Sequence, residues 1–253
     1  MKEISCYISE KLSVSKSMNA DYSCQPKTRD ELKKVLKERL NKDNSCSLND
    51  IDVSQIEDMS FLFFNLSPHD IDLSQWDVSN VKNMKYMFYN CNEFNSDLSQ
   101  WDVSNVKDMN SMFCNCISFN LDLSNWDVSS LENANNMFAN CENFNSDLSQ
   151  WDMSRVKDMR YMFCGCKKFN SDISQWDVSN AVDMNSMFYN CKKFNSDISH
   201  WDVSSVVDME YMLYGCKKLD CDLSHWDVKN TNNMSYMFYG CISLKKIPDW
   251  YKG

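Results

Sequence analysis

The chain has 253 residues, with 26 Lys and Arg against 36 Asp and Glu, and a formal net charge of −10. That is the wrong sign for a general nucleic-acid binder. Only 4 Gly and 3 Pro are present, which excludes collagen-like and linker-rich chains and leaves little material for Gly-rich phosphate loops. An apolar fraction of 43% with 25% charged residues excludes a wholly disordered chain, and no run of about 18 apolar residues is there to span a membrane.

In chain order, residues 1–27 carry few large apolar residues and read as an irregular leader. Their start, MKEISCYISEKLSVSKS, alternates polar and apolar residues and does not read as a secretory signal. Residues 28–47 are expected to hold an N-terminal capping helix and its connection. Thr28 suits the N-cap, and Leu32, Val35, Leu36 and Leu40 make an apolar stripe with charges outside it. Residues 48–247 carry a repeat. Trp76, Trp101, Trp126, Trp151, Trp176, Trp201 and Trp226 are spaced 25 residues apart, and Cys91, Cys116, Cys141, Cys166, Cys191, Cys216 and Cys241 keep the same period. A fixed period of this size marks an array in which each unit is completed by its neighbours. Eight units begin at Leu48, Leu73, Leu98, Leu123, Leu148, Ile173, Ile198 and Leu223. The first is degenerate, with Ile51 in the Trp phase, Leu66 in the Cys phase and His69 in the Phe phase. Residues 248–253 form a C-terminal cap, with Tyr251 falling in the Trp phase.

Within a unit, Leu98, Trp101 and Val103 are spaced for a short strand. Val106, Met109, Met112, Phe113 and Cys116 then recur at steps of three and four, the spacing of a helix face, with Ser104 as its N-cap. The expected fold class is α/β: a leucine-rich-repeat-like solenoid of eight 25-residue strand-turn-helix units, with a parallel sheet and a helical N-terminal cap. Leu-x-x-Trp-x-Val overlays the leucine-rich-repeat strand pattern, but no fixed Asn follows it: Asn80, Asn105 and Asn180 alternate with Ser130, Arg155 and Ser205. Through WDVSNVKDMNSMF, NC and FNSDLSQ, residues 48–247 resemble the BspA-like bacterial surface-protein repeat, also described in Mycoplasma lipoproteins and in large DNA viruses and protists. QPKTRDELKKVLKERL is similar to the lead-in helix of viral and protist members. The resemblance implies a leucine-rich-repeat-like solenoid used for surface contact or adhesion.

The Trp column is the expected energetic centre, since burying each ring removes about 150–250 Å² from water. The repeated Met pairs read as soft core filling rather than metal ligands. The cysteines read as buried reduced thiols, implying a reducing interior, with neither disulfides nor zinc. Asp52, Asp77, Asp102, Asp127, Asp152, Asp177, Asp202 and Asp227 follow the Trp phase, and a second set runs from Asp72 to Asp222. Stacked carboxylates repel, so each either accepts backbone N–H bonds in turns or joins an acidic strip for Ca²⁺ or a basic partner.

Variation between units marks the candidate site. Lys167, Lys168, Lys192, Lys193, Lys217 and Lys218 follow the Cys phase in three consecutive units, where earlier units carry Asn92-Glu93, Ile117-Ser118 and Glu142-Asn143. This is either a solvated edge or a basic edge for an anionic partner. Tyr161, Tyr189, Tyr211, Tyr214, Tyr236 and Tyr239 lie in the same half, and Tyr189, Tyr214 and Tyr239 with the six lysines are the candidate partner-binding residues. His200 and His225 occupy a phase otherwise held by Gln and read as surface drift. With only 3 His and no nucleophile elbow, Walker loop or HExxH, the chain is read as non-enzymatic, without catalytic residue, cofactor or metal. The expected function is a repeat scaffold for protein–protein interaction, with a structural component of a viral or cell-surface assembly, or an adhesin, as the alternative. The expected partner is an unidentified protein, with no nucleic acid and no membrane span, and with self-association open. The expected location is intracellular, in host cytoplasm or virion.

Overall fold

A computed structural model describes residues 22–66, 68 and 70–252; most of the leader, and His69, lie outside the described residues. The one helix among them, α1, spans Arg29–Leu40. Thr28 Oγ1 accepts from the Glu31 N–H at 3.3 Å, while the Glu31 carboxylate accepts from the Lys27 N–H at 2.8 Å. These side chains satisfy donors that a helix start leaves open. Asp30 and Glu31 in the first turn, and Lys37 and Arg39 in the last, suit the helix dipole. Leu32 and Leu36 are fully buried in the same core as Val53, Ile56, Met59 and Phe63 of the first coil.

From there the chain winds in 25-residue coils made of tight turns. In the unit from Leu98, the Trp101 N–H donates to the Leu98 carbonyl at 3.1 Å, Val106 to Val103 at 2.9 Å, and Met112 to Met109 at 3.1 Å. Cys116 then donates to Phe113 at 3.0 Å and Phe119 to Cys116 at 3.1 Å. Each is a four-residue turn closed by an i to i+3 bond, and each brings two apolar side chains to the inside.

The strand-turn-helix unit and its parallel sheet are therefore not what forms. The described residues hold α1, isolated parallel bridges such as Asn83–Asp108 and Asp108–Asn133, and no sheet. Apolar residues three apart are shared by a helix face and by consecutive turns, so spacing does not separate them. The backbone does: Ser111 and Asn115 have φ of +54° and +63°, left-handed values at which a right-handed helix stops. Leu-x-x-Trp is likewise a turn rather than a strand. Ser104 caps no helix; its N–H donates to Asp102 Oδ1 at 3.0 Å.

Coils join through a row of bonds that run forward, beside a sparser column that runs back, as from the Lys107 N–H to the Lys82 carbonyl at 2.9 Å. The N–H groups of Met84, Tyr86, Phe88 and Asn90 donate to the carbonyls of Asp108, Asn110, Met112 and Cys114 in the next coil at 2.8–2.9 Å. Met109, Ser111, Phe113 and Asn115 then donate onward in the same register. With a left-handed residue at every fourth position, as at Tyr86 and Asn90, every second N–H faces the following coil and the intervening carbonyls face the preceding one. The Trp rings sit 3–5% exposed, and Trp76 and Trp101 lie 6.3 Å apart with planes 2° from parallel. Each indole N–H reaches back one coil, as from Trp101 to the Leu73 carbonyl at 3.1 Å. At the far end it is Trp250, not Tyr251, that continues the column: Trp250 stacks on Trp226 at 6.3 Å and donates to the Leu223 carbonyl at 2.9 Å. Tyr251 instead meets Phe238 edge-on at 5.0 Å.

Candidate functional site

Most of the repeated polar residues hold one coil to the next or close a turn. Buried Ser96, Ser146, Ser171 and Ser196 accept, at 2.9–3.1 Å, from the N–H of Leu73, Leu123, Leu148 and Ile173 in the preceding coil. Where Asn follows the second turn, its amide bridges coils, as Asn105 Nδ2 does to the Ser79 carbonyl at 2.9 Å. The thiols of the Cys column donate to Phe carbonyls one coil back, Cys141 Sγ to Phe113 at 3.0 Å and Cys166 Sγ to Phe138 at 3.0 Å. Burial pushes these thiols far above their ordinary pKa, so they are packed donors rather than nucleophiles.

The Asp columns do the same work at the turns. Asp102 and Asp152 accept from the N–H of Ser104 and Ser154 at 3.0 and 2.9 Å, and Asp122 and Asp222 from Ser124 and Ser224 at 2.9 Å. These are Asx turns. The hydrogen bond to the Ser154 hydroxyl and N–H holds Asp152 below the usual carboxylate range, and the Ser124 N–H does so for Asp122. Asp183 goes the other way, raised by burial. Among the described residues no three or more His, Cys, Asp or Glu converge as a metal site would need. A group whose folded pKa is depressed stabilises above its unfolded value and loses that as pH falls through the folded one. Stability is therefore expected to hold from about pH 7 to about 4 and to drop below about 3.9. Asp152→Asn, which keeps the accepting oxygen but not the charge, should cost less at about pH 7 than Asp152→Ala, for which about 1 kcal/mol is expected in urea unfolding. Equal damage from both, with calcium raising Tm of the wild type, would instead make the column a cation strip.

The lysines and tyrosines occupy two separate features. Lys167 pairs with Glu142 at 2.5 Å across one coil. Among the described residues no carboxylate pairs with Lys168, Lys192, Lys193, Lys217 or Lys218, and all six lysines are exposed. Tyr189, Tyr214 and Tyr239 stack on one another at 4.8 and 5.0 Å, and Tyr211 stacks on Tyr236 at 5.2 Å. A shallow cleft of about 550 Å³ is lined by Lys168 and Lys193 with Asn120, Asn143, Asn145 and Asn170. None of the tyrosines lines it. Lys218 continues the Lys168 and Lys193 column one coil further, outside the lining, and Lys167, Lys192 and Lys217 precede that column by one residue.

Asn120, Asn145 and Asn170 were not among the residues singled out by sequence. Their signal is the Asn that directly follows Phe at 95, 120, 145, 170 and 195, which reads alone as an ordinary turn residue. In the fold, Asn120 Oδ1 accepts from the Asn145 N–H at 2.8 Å, and Asn145 Oδ1 accepts from the Asn170 N–H at 2.6 Å. A backbone N–H only donates, so the amide orientation is fixed and each Nδ2 is left to face away from that bond.

The chain belongs to the family described as "Mycoplasma protein of unknown function, DUF285", whose model matches residues 31–151 and 135–250. No curated protein and no solved structure matches the chain. No helix among the described residues is long and apolar enough to cross a membrane.

Proposed function

We propose that this member of the Mycoplasma-type repeat family is a non-enzymatic scaffold that binds a protein partner through its lysine edge and tyrosine ladder. The observation that carries this reading is the set of exposed lysines without carboxylate partners on three consecutive coils, with stacked and partly exposed tyrosines as a separate feature of the same coils. Tyr and cationic side chains on a rigid frame suit a protein interface. The absence of catalysis is part of the proposal, supported by the structural use of the repeated Asp, Ser and Cys. The finer likeness to BspA-like surface repeats rests on WDVSNVKDMNSMF and FNSDLSQ, and a reducing location on the buried thiols of the Cys column.

A structural role in a viral or cell-surface assembly, including adhesion, is the second reading. It is favoured by the last coil, where Tyr236, Tyr239 and Ile242 are 56%, 64% and 80% exposed. Affinity capture with cross-linking from the native source, comparing wild type with Lys167/Lys168/Lys192/Lys193→Glu, tests the two. A specific partner lost in the variant is the expected result. Retention of that partner moves the site off the lysine edge, and capture of self-crosslinks alone replaces the module with an assembly component.

A further inference from the structure

The cleft beside the lysines is unusual for a chain of this charge: its lining holds two ammonium groups and four asparagines and no carboxylate. Asn143 spends its Nδ2 on the Ile117 carbonyl at 3.1 Å. Asn120, Asn145 and Asn170 spend their Oδ1 atoms on the backbone of the next coil, at 2.6–2.8 Å, and their Nδ2 groups have no acceptor among the described residues. The floor is therefore a column of neutral donors, one per coil, with a column of cations at its side. Coils at a spacing of about 4.8 Å place the three open amides over roughly 10 Å.

We infer that this cleft binds a short acidic peptide in extended form, its carboxylates on Lys168 and Lys193 and its backbone carbonyls on the Nδ2 groups of Asn120, Asn145 and Asn170. Charge complementarity selects an anion. The neutral amide column selects a ligand with neutral acceptors between its charges, which a peptide backbone has and a phosphate chain does not. A net charge of −10 and the exposed Asp147, Asp172 and Asp197, each two residues past an Asn of this column, repel a densely charged polymer. An extended peptide advances about 3.3 Å per residue, so about three to five residues would fill the column. The inference deepens the interaction-module reading and rests on it.

Asp220 supplies the design of the test. It holds the phase of Asn145 and Asn170 in a later coil, takes the Asn195 Oδ1 bond on its own N–H at 2.8 Å, and pairs with Lys245 at 2.6 Å. Asp220 shows that this phase admits an Asp; a carboxylate oxygen can accept the next coil's N–H as the amide oxygen does, while the Nδ2 donor becomes an acceptor. Fluorescence anisotropy of the full chain with a labelled decapeptide of alternating Glu and Ser should show binding that weakens with salt. Asn145→Asp/Asn170→Asp should weaken it about tenfold or more with an unchanged thermal unfolding midpoint. Lys168→Gln/Lys193→Gln, which touches no backbone bond, should do the same.

Wild-type binding by both variants, or no binding of the peptide at all, overturns the inference. So does tighter binding of a single-stranded oligonucleotide or a sulfated oligosaccharide than of the peptide, since the occupant is then a different polymer. The two proposals fail separately. Capture of a cellular partner that ignores Asn145→Asp/Asn170→Asp leaves the module standing and removes the cleft; peptide binding without any cellular protein partner does the reverse.

Discussion

Replacing Trp151 with Ala should lower the unfolding free energy by about 3–5 kcal/mol, the range for a fully buried aromatic whose site collapses only in part. Trp151 lies mid-array at 3% exposure, stacks on Trp126 at 6.4 Å, tilts against Phe138 at 6.1 Å and donates to the Leu123 carbonyl at 3.1 Å. Removing the ring leaves a cavity between two coils and an orphaned carbonyl together. Trp151→Phe keeps much of the packing and loses the hydrogen bond, so about 1–3 kcal/mol is expected from that carbonyl alone. Gln150→Ala, one residue away and exposed, should fall within about 0.5 kcal/mol. Urea unfolding of the three variants measures this ordering. A loss under about 1 kcal/mol for Trp151→Ala would show that the coils do not depend on the column.

The second large effect concerns register. Excising residues 123–147 joins Asp122 to Leu148 and removes one whole 25-residue unit. Met109, Ser111, Phe113 and Asn115 then meet the carbonyls of Asp158, Arg160, Met162 and Cys164, which the excised coil's Ala134, Asn136, Phe138 and Asn140 had used. The shortened chain should fold cooperatively with a smaller urea m-value, because less surface is buried. Deleting Asn140 alone should be far worse. It removes a left-handed residue at φ +60° and the bond from its N–H to the Cys164 carbonyl, and it places Cys141 and Phe144 one step out of phase. A loss above about 3 kcal/mol, or no cooperative transition, is expected. Circular dichroism melts of both deletions decide it; equal tolerance would mean that the coils are not locked in phase.

The period, and with it the inward residues, was readable before any fold was known. Trp101, Val103, Met109, Met112, Phe113, Cys116 and Phe119 are buried at 0–3% exposure, because only residues that every coil repeats can line a shared interior. Their local conformation was not readable, because helix and serial turns ask for the same step of three. One signal did separate them. Of the 4 glycines, Gly165, Gly215 and Gly240 fall in the phase that Asn65, Asn90, Asn115, Asn140 and Asn190 hold elsewhere, and every one of these has positive φ. Gly alternating with Asn is the mark of a left-handed position. The companion position hides the signal entirely, since Phe61, Tyr86, Tyr161, Tyr211 and Tyr236 take positive φ there with bulky rings. The bonds between coils hold them in it. As for the site, the lysines stood out because they break the repeat, and the asparagines beside them did not because they keep it.

More backbone N–H groups point from each coil to the next than point back, so the forward row has two ends that differ chemically. Peptide dipoles that add along an axis leave partial charge at its ends. Here carbonyl oxygen gathers at the α1 end, where Arg29 sits 3.6 Å from Asp58 and donates to Ser60 at 3.1 Å, and amide hydrogen gathers at the last coil. Two such last coils pressed together would oppose donor to donor, so the rod cannot be mirrored by continuing this row. It behaves like an arrow: whatever adds to the last coil through this row must offer carbonyls, and whatever adds at the α1 end must offer N–H groups.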